Sequence, residues 1–308
     1  VPTLFPGQYG VPGTDHDTGL RLDTNGIVLY VDPNHVDNND NRDGTNPIAP
    51  LSTVAKALTL CRAYRNDTII VAPNAYWLHA DQTVGRATPL AEEVVVTVPG
   101  VRIVGLMPSS SIGVPWFPVT DSGVCITVHA MDVLIEGFCF WNGMGAAVTT
   151  PVAIKAEWNS GTDLYGDNLT VRNCFFQDGL DYGIQLDFSY YCDIHHNHFE
   201  GCDTAAIHNL DVIGDPDYCK IHHNTFDNCV AAIDLEDTDR CFIYNNLIYG
   251  AGGGTNNMID LTGGAGNIVA NNYLACTIAQ YDTVCSDATS GAWVNNHCTN
   301  GDPAAPPI

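Results

Sequence analysis

The chain has 308 residues, 45% hydrophobic and only 15% charged, so it can bury a sizeable core in one large domain or two ordinary ones. Eleven Lys and Arg face 35 Asp and Glu, a formal charge of −24; that field repels nucleic acid and anionic membranes, and admits acidic polysaccharides only where cations bridge them. No apolar run approaches the roughly 20 residues of a membrane span, and twelve Cys, an even and high number, lean toward an oxidising compartment with some disulfides.

Residues 1–25, with Pro2, Pro6, Pro12 and several Gly, read as an extended arm. The start at Val1, with neither Met nor a signal peptide, points to a processed or trimmed chain. "LYVDPNHVDNNDNRDG" is then a strand followed by a loop rich in Asn and Asp. Within it Asn39, Asn41 and Asp43 stand at alternate oxygen-ligand positions before Gly44, the first half of an EF-type calcium loop. Pro50 stands where the closing Glu would be, so a solvated Asx-rich loop fits the same residues. Calcium is the one cofactor suggested, and none is required. A helix is expected over about 52–65, with Ser52 as its cap and Val54, Ala57, Leu58 and Cys61 on one face. "NDTIIVAPNAYW" and "VPGVRIVGL" are further strands.

From there the chain repeats. Ile103, Ile135, Val171, Ile194, Ile221, Ile243, Val269 and Trp293 are equivalent anchors. Five residues after them come Pro108, Phe140, Phe176, Phe199, Phe226, Ile248, Leu274 and Cys298, nearly all able to be buried. Three residues after the last five anchors stand Asn197, Asn224, Asn246, Asn272 and Asn296. A second column holds Ile126, Ile154, Ile184, Ile207, Ile233, Ile259 and Val284, each opening a short alternating stretch such as "IQLD". Alternation means strand, one face in and one out. Units this short do not hold helix pairs; they fit a solenoid in which each strand pairs with its equivalent one turn on, a rod roughly 35–40 Å long. Asn in one column suits tight corners, which need left-handed backbone, and its amide can bond the Asn above and below.

The pattern, with the N-terminal sequence quoted above, resembles the right-handed parallel β-helix of the pectate-lyase-like superfamily, of tailspike or virion-surface type. The likeness runs from about Gly26 to Cys298, with Asn74-Ala75-Tyr76 in place of the usual Gly-x-Tyr. It implies an all-β fold: a single parallel β-helix over 26–298 with an N-terminal capping helix, between the arm and a Pro-rich tail over 299–308. The superfamily holds lyases, hydrolases, epimerases, tailspikes and inert surface proteins, so fold alone does not choose among them.

Three constellations carry candidate chemistry. On the outward face of the second column, Asp187, Asp234, Glu236 and Asp260 fall on adjacent turns, the arrangement a glycosidase uses as acid and base; Lys155, beside Glu157 and Asp187, is the one base a lyase could use. A solvated acidic face fits these residues too. Secondly, His195 and His196 stack over His222 and His223, with His208 nearby; a shared metal and a polar stacking ladder both fit, and Tyr244 and Asn245 on the next turn favour the ladder. Thirdly, Cys192, Cys219 and Cys241 share one column and Cys202 and Cys229 another, at a spacing a disulfide can bridge; Cys202–Cys229 is the favoured pair.

Neither the Asn-Thr-Asp, Asp-Asp, Gly-His-Gly and Arg-Ile-Lys set of the polygalacturonase-like hydrolases nor the Arg-x-Pro-x-x-Arg of the best-known pectate lyases occurs here. The expected function is therefore structural: a virion-surface or extracellular protein, capsid decoration or tailspike-like, joined through its termini to other virion or surface proteins. A homotrimer and contact with host-surface glycans fit this reading. A polysaccharide lyase or hydrolase and a glycan-binding adhesin are the rivals.

Overall fold

A computed structural model describes residues 26–72, 90–106, 114–120, 123–142, 150–177, 179–209, 214–249, 258–286 and 291–301. The expected N-terminal arm, Asn74 to Tyr76, Pro108 and most of the Pro-rich tail lie outside them. The described residues form a single right-handed parallel β-helix, nearly all β. Three parallel sheets make its walls, of ten, nine and eight strands. The ten-stranded sheet runs from Val28–Val31 to Ala292–Val294, about 43 Å at the usual strand spacing.

The anchor column stacks in register: Ile103, Ile135, Val171, Ile194, Ile221, Ile243, Val269, Trp293. All but Trp293 are fully buried. The Phe column stacks likewise, with ring centroids 5.2 Å apart for Phe140 and Phe176, 4.4 Å for Phe176 and Phe199, and 4.9 Å for Phe199 and Phe226. Face-parallel rings one turn apart are the packing that parallel, in-register strands impose on identical side chains. Trp116 is fully buried and donates its indole N–H to the Glu92 carbonyl at 2.8 Å.

The asparagine column is a ladder, but not at the corner. Each buried amide donates to the next Asn Oδ1, Asn197 to Asn224 at 3.1 Å, then 3.1, 3.0 and 3.0 Å up to Asn296. The left-handed corner lies one residue earlier, at Asn173, His196, His223, Asn245, Asn271 and Asn295, with φ between 52° and 56°. The corner turns the following Asn inward, where its amide serves backbone groups that the bend leaves unpaired. In the second column the last member is Cys285, which pairs with Ile259, rather than Val284; the short helix Ile278–Val284 enters that turn and takes up Val284.

The cap helix is shorter than expected, Val54–Leu60, and its N-cap is Thr53, not Ser52. Thr53 Oγ1 accepts from the Lys56 N–H at 3.1 Å. The Asp40 carboxylate holds the N–H groups of both Ser52 (2.7 Å) and Thr53 (3.2 Å), and Thr53 is extended, as an N-cap requires. The helix stops at Leu60 because the Arg62 N–H turns to Asp67, at 2.8 Å. Val54, Ala57 and Leu58 are buried against the strands Val28–Val31, Thr68–Val71 and Val94–Val96, as a cap over the first turn requires.

No disulfide joins any of the twelve cysteines. Cys202 and Cys229 do stack and hydrogen-bond to one another, but as thiols. In the other column, Cys192, Cys219 and Cys241 each point a thiol at backbone carbonyls, 3.5–3.9 Å away. Buried thiols there act as small apolar fillers with a weak donor to spend. Among the described residues, no helix is long and apolar enough to cross a membrane.

Candidate functional site

The eight-stranded sheet carries the acidic stripe. Its outward residues align as Thr127, Lys155, Gln185, His208, Asp234 and Asp260 on successive turns. Period-two alternation places their neighbours Ile126, Ile154, Ile184, Ile207, Ile233 and Ile259 in the core, all fully buried. The strand ends bring His129, Glu157, Asp187 and Glu236 alongside.

Two groupings result. In the first, the Lys155 ammonium lies 2.7 Å from Glu157 and 3.6 Å from Asp187. His129 Nε2 meets Glu157 at 3.0 Å, and its Nδ1 meets the Asn159 amide at 3.1 Å. Burial pushes the Glu157 carboxyl up, but the hydrogen bonds from Lys155 and His129, with their charges, outweigh it and leave the group below its ordinary value. In the second, one oxygen each of Asp234, Glu236 and Asp260 lie within 4.8 Å of one another. His208 Nδ1 is 3.2 Å from Asp234, and the His208 ring stacks on Tyr182 at 4.8 Å. Asp260 Oδ1 accepts from the N–H and hydroxyl of Thr262, at 3.0 and 2.7 Å. This trio has the oxygen donors of a hard-cation site and the spacing of a carboxylate pair.

The stripe is less solvated than an acidic face suggests. Asp187 and Asp260 are 5% and 6% exposed, while Asp234 is half-buried and Glu236 exposed. Of the residues read from the sequence, Lys155 meets Asp187, and Asp234, Glu236 and Asp260 form a separate group. The sequence reading misses Asn159 and Tyr182, and an aromatic shelf of Trp158, Tyr165 and Phe188 with ring centroids 5.7–6.4 Å apart. Only the insertion "WNSGTDLYG" after Glu157 hints at the shelf.

Asn39, Asn41 and Asp43 are all exposed, and two of their side-chain oxygens already accept hydrogen bonds within the loop. Asn39 Oδ1 accepts the Asn41 N–H at 2.8 Å, and Asp43 Oδ1 the Thr45 N–H at 3.0 Å. These Asx turns use the oxygens that calcium would share. The fully exposed Asp43 carboxyl is lowered by the Thr45 backbone and hydroxyl.

The histidines lie on the outward side of the ten-stranded sheet. His195 stacks on His222 and His196 on His223, each pair 5.0 Å apart and within 9° and 3° of parallel. Within each turn the two rings meet edge on, Nδ1 to Nδ1, at 2.7 Å for His195 and His196 and 2.8 Å for His222 and His223. Burial, opposed by Asp193 and joined by the neighbouring imidazoles, pushes His195 down to about 4; burial first also lowers His196 and His222.

A family model described as "Right handed beta helix region" matches residues 154–274, which contain most of the stripe and all four of these histidines. No curated protein matches the chain. Among solved structures it is similar to Geobacillus virus E2 ORF18, at 10% identity and a TM-score of 0.40, over 88% of this chain. The chain spans 60% of that protein's length.

Proposed function

We propose that this chain is a rigid structural rod on the surface of a virion, as capsid decoration or a tailspike-like spike, and that it works without turnover. The unbroken register of its core columns supports this reading most. Anchor, Phe and Asn ladders run through successive turns, so the described rod has no hinge in its core. The one base a lyase could use is taken up in ion pairs: Lys155 lies 2.7 Å from Glu157 and 3.6 Å from Asp187. In this reading, the arm and the tail attach the rod to other virion proteins, and trimerisation sets its number. Immunogold labelling of intact particles tests the placement: regular labelling is expected, and particles free of this chain would overturn it. Light scattering after size-exclusion chromatography tests the trimer.

One observation favours a second reading, an extracellular hydrolase or glycan-binding surface. Asp234, Glu236 and Asp260 converge beside His208, and an aromatic shelf lies two turns away. Turnover lost in Asp234→Asn or Asp187→Asn would establish the hydrolase, and turnover lost only in Lys155→Ala the lyase. Binding without turnover would make the shelf a glycan contact.

A further inference from the structure

The two turns that carry paired histidines differ from their neighbours in both positions at once. The corner column reads Asn173, His196, His223, Asn245, and the column before it reads Arg172, His195, His222, Tyr244. Left-handed backbone at His196 and His223, φ 56° and 55°, folds the second imidazole of each pair back onto the first. Asn takes that backbone readily and fills the corner on the other turns, so the corner alone does not explain histidine. Stacking explains the contacts between turns but not the edge-on Nδ1 contacts within them.

Two nitrogens 2.8 Å apart must be one N–H and one lone pair. At the upper pair every proton can be placed. The Asp193 carboxylate accepts at 2.9 Å from His222 Nε2, so Nε2 carries the proton and Nδ1 is bare. His223 Nδ1–H then donates to it, and His223 Nε2 accepts from the Asn245 amide at 3.3 Å. A carboxylate that fixes one imidazole with its lone pair outward is the outer support that metal-ligating histidines use.

We propose that His222 and His223 chelate a divalent transition-metal ion through their two Nδ1 atoms, with His195 and His196 as a second, weaker chelate one turn away. Coordination takes the place of the shared hydrogen bond. The proton on His223 Nδ1 passes to its Nε2 through solvent, and the Asn245 amide turns its oxygen to receive it. With metal–nitrogen bonds of about 2.0–2.1 Å, nitrogens kept 2.8 Å apart subtend about 85° at the ion, once each ring turns by roughly 45° to aim its lone pair off the line between them. That is a cis angle of a tetragonal or octahedral ion, Cu2+ or Ni2+; tetrahedral Zn2+ needs them about 3.3 Å apart. Access is open, because His223 and His196 are exposed. The chain's charge of −24 draws cations toward it. Asp193 supports the upper pair, whereas the Arg172 guanidinium, bound to Glu136 at 2.8 Å, flanks the lower one and opposes a cation there.

The test is calorimetric titration of the chelator-stripped full chain with CuCl2, NiCl2 and ZnCl2. His222→Tyr/His223→Asn copies the next turn, Tyr244-Asn245, and so keeps the corner and the stack. Saturable Cu2+ and Ni2+ binding is expected, with Ni2+ tighter than Zn2+. The double variant should lose the tighter site, Asp193→Asn should weaken it by about 10–100-fold, and His196→Asn should weaken it least. Copper bound at the tighter site should show nitrogen hyperfine structure from two imidazoles. No saturable binding below millimolar metal, or binding unchanged in the double variant, would overturn the proposal; Zn2+ tighter than Ni2+ would overturn the tetragonal geometry.

Discussion

At the scale of single residues, buried polar groups hold the coil where apolar packing cannot. Asp67 is fully buried and accepts four hydrogen bonds: from the N–H groups of Ile27 and Arg62, both at 2.8 Å, and from the Arg65 guanidinium at 2.6 and 2.7 Å. Burial raises its carboxyl, and Arg65 and the two N–H groups more than reverse that, so it ends below the ordinary carboxylate value. A folded pKa below the unfolded one means the unfolded chain binds more protons between the two. The stability from Asp67 is therefore complete above about pH 4 and is lost as pH falls through that window. Asp67→Asn should lower the melting temperature at pH 7 and flatten the acid limb below about pH 4, as read by thermal melts; an unchanged acid limb would count against it. Asn246 is the same case without charge. Asn246→Ala orphans the Asn224 N–H and the Ile221 carbonyl, which it now serves at 3.0 and 2.9 Å, and should cost about 2–4 kcal/mol in urea unfolding.

At the scale of the element, each turn is a set of short strands that cannot bury itself and depends on its neighbours. Phe199 sits between two parallel rings, and Phe199→Ala should cost about 3–5 kcal/mol, with the loss shared by the turns on either side. Hydrogen exchange should show that spread; a loss confined to residues near 199 would contradict it. The thiol columns make a separate prediction: unreduced, denatured protein should titrate twelve thiols, whereas a Cys202–Cys229 bridge would leave ten. The columns were legible because parallel register repeats the same residue type at the same place, as Ile194, Ile221 and Ile243 show. The ends of the turns were less so. Whether Ser52 or Thr53 caps the helix depends on Asp40, twelve residues away, and no local pattern carries that. Val284 gave way to Cys285 because a short helix shifts the frame by one residue. The stripe's membership was readable by counting from the column Ile. Its burial and pairing were not, because they depend on which side chains reach across turns, as Lys155 reaches Asp187.

At the scale of the whole molecule, the described residues form one parallel β-helix with two separate polar patches, one acidic and one of histidine. The rod reading assigns the acidic patch no turnover, and that is its central claim. A glycosidase needs one carboxylic acid kept protonated beside an ionised partner. Glu157 is held ionised by Lys155 and His129, which leaves it unsuited to be that acid. The most direct measurement incubates the full chain with a panel of neutral and acidic glycans, calcium present, and assays both reducing ends and unsaturated products. No product above the level of an Asp187→Asn/Asp234→Asn/Asp260→Asn variant is expected; product formed by the native chain and abolished in that variant would contradict the account.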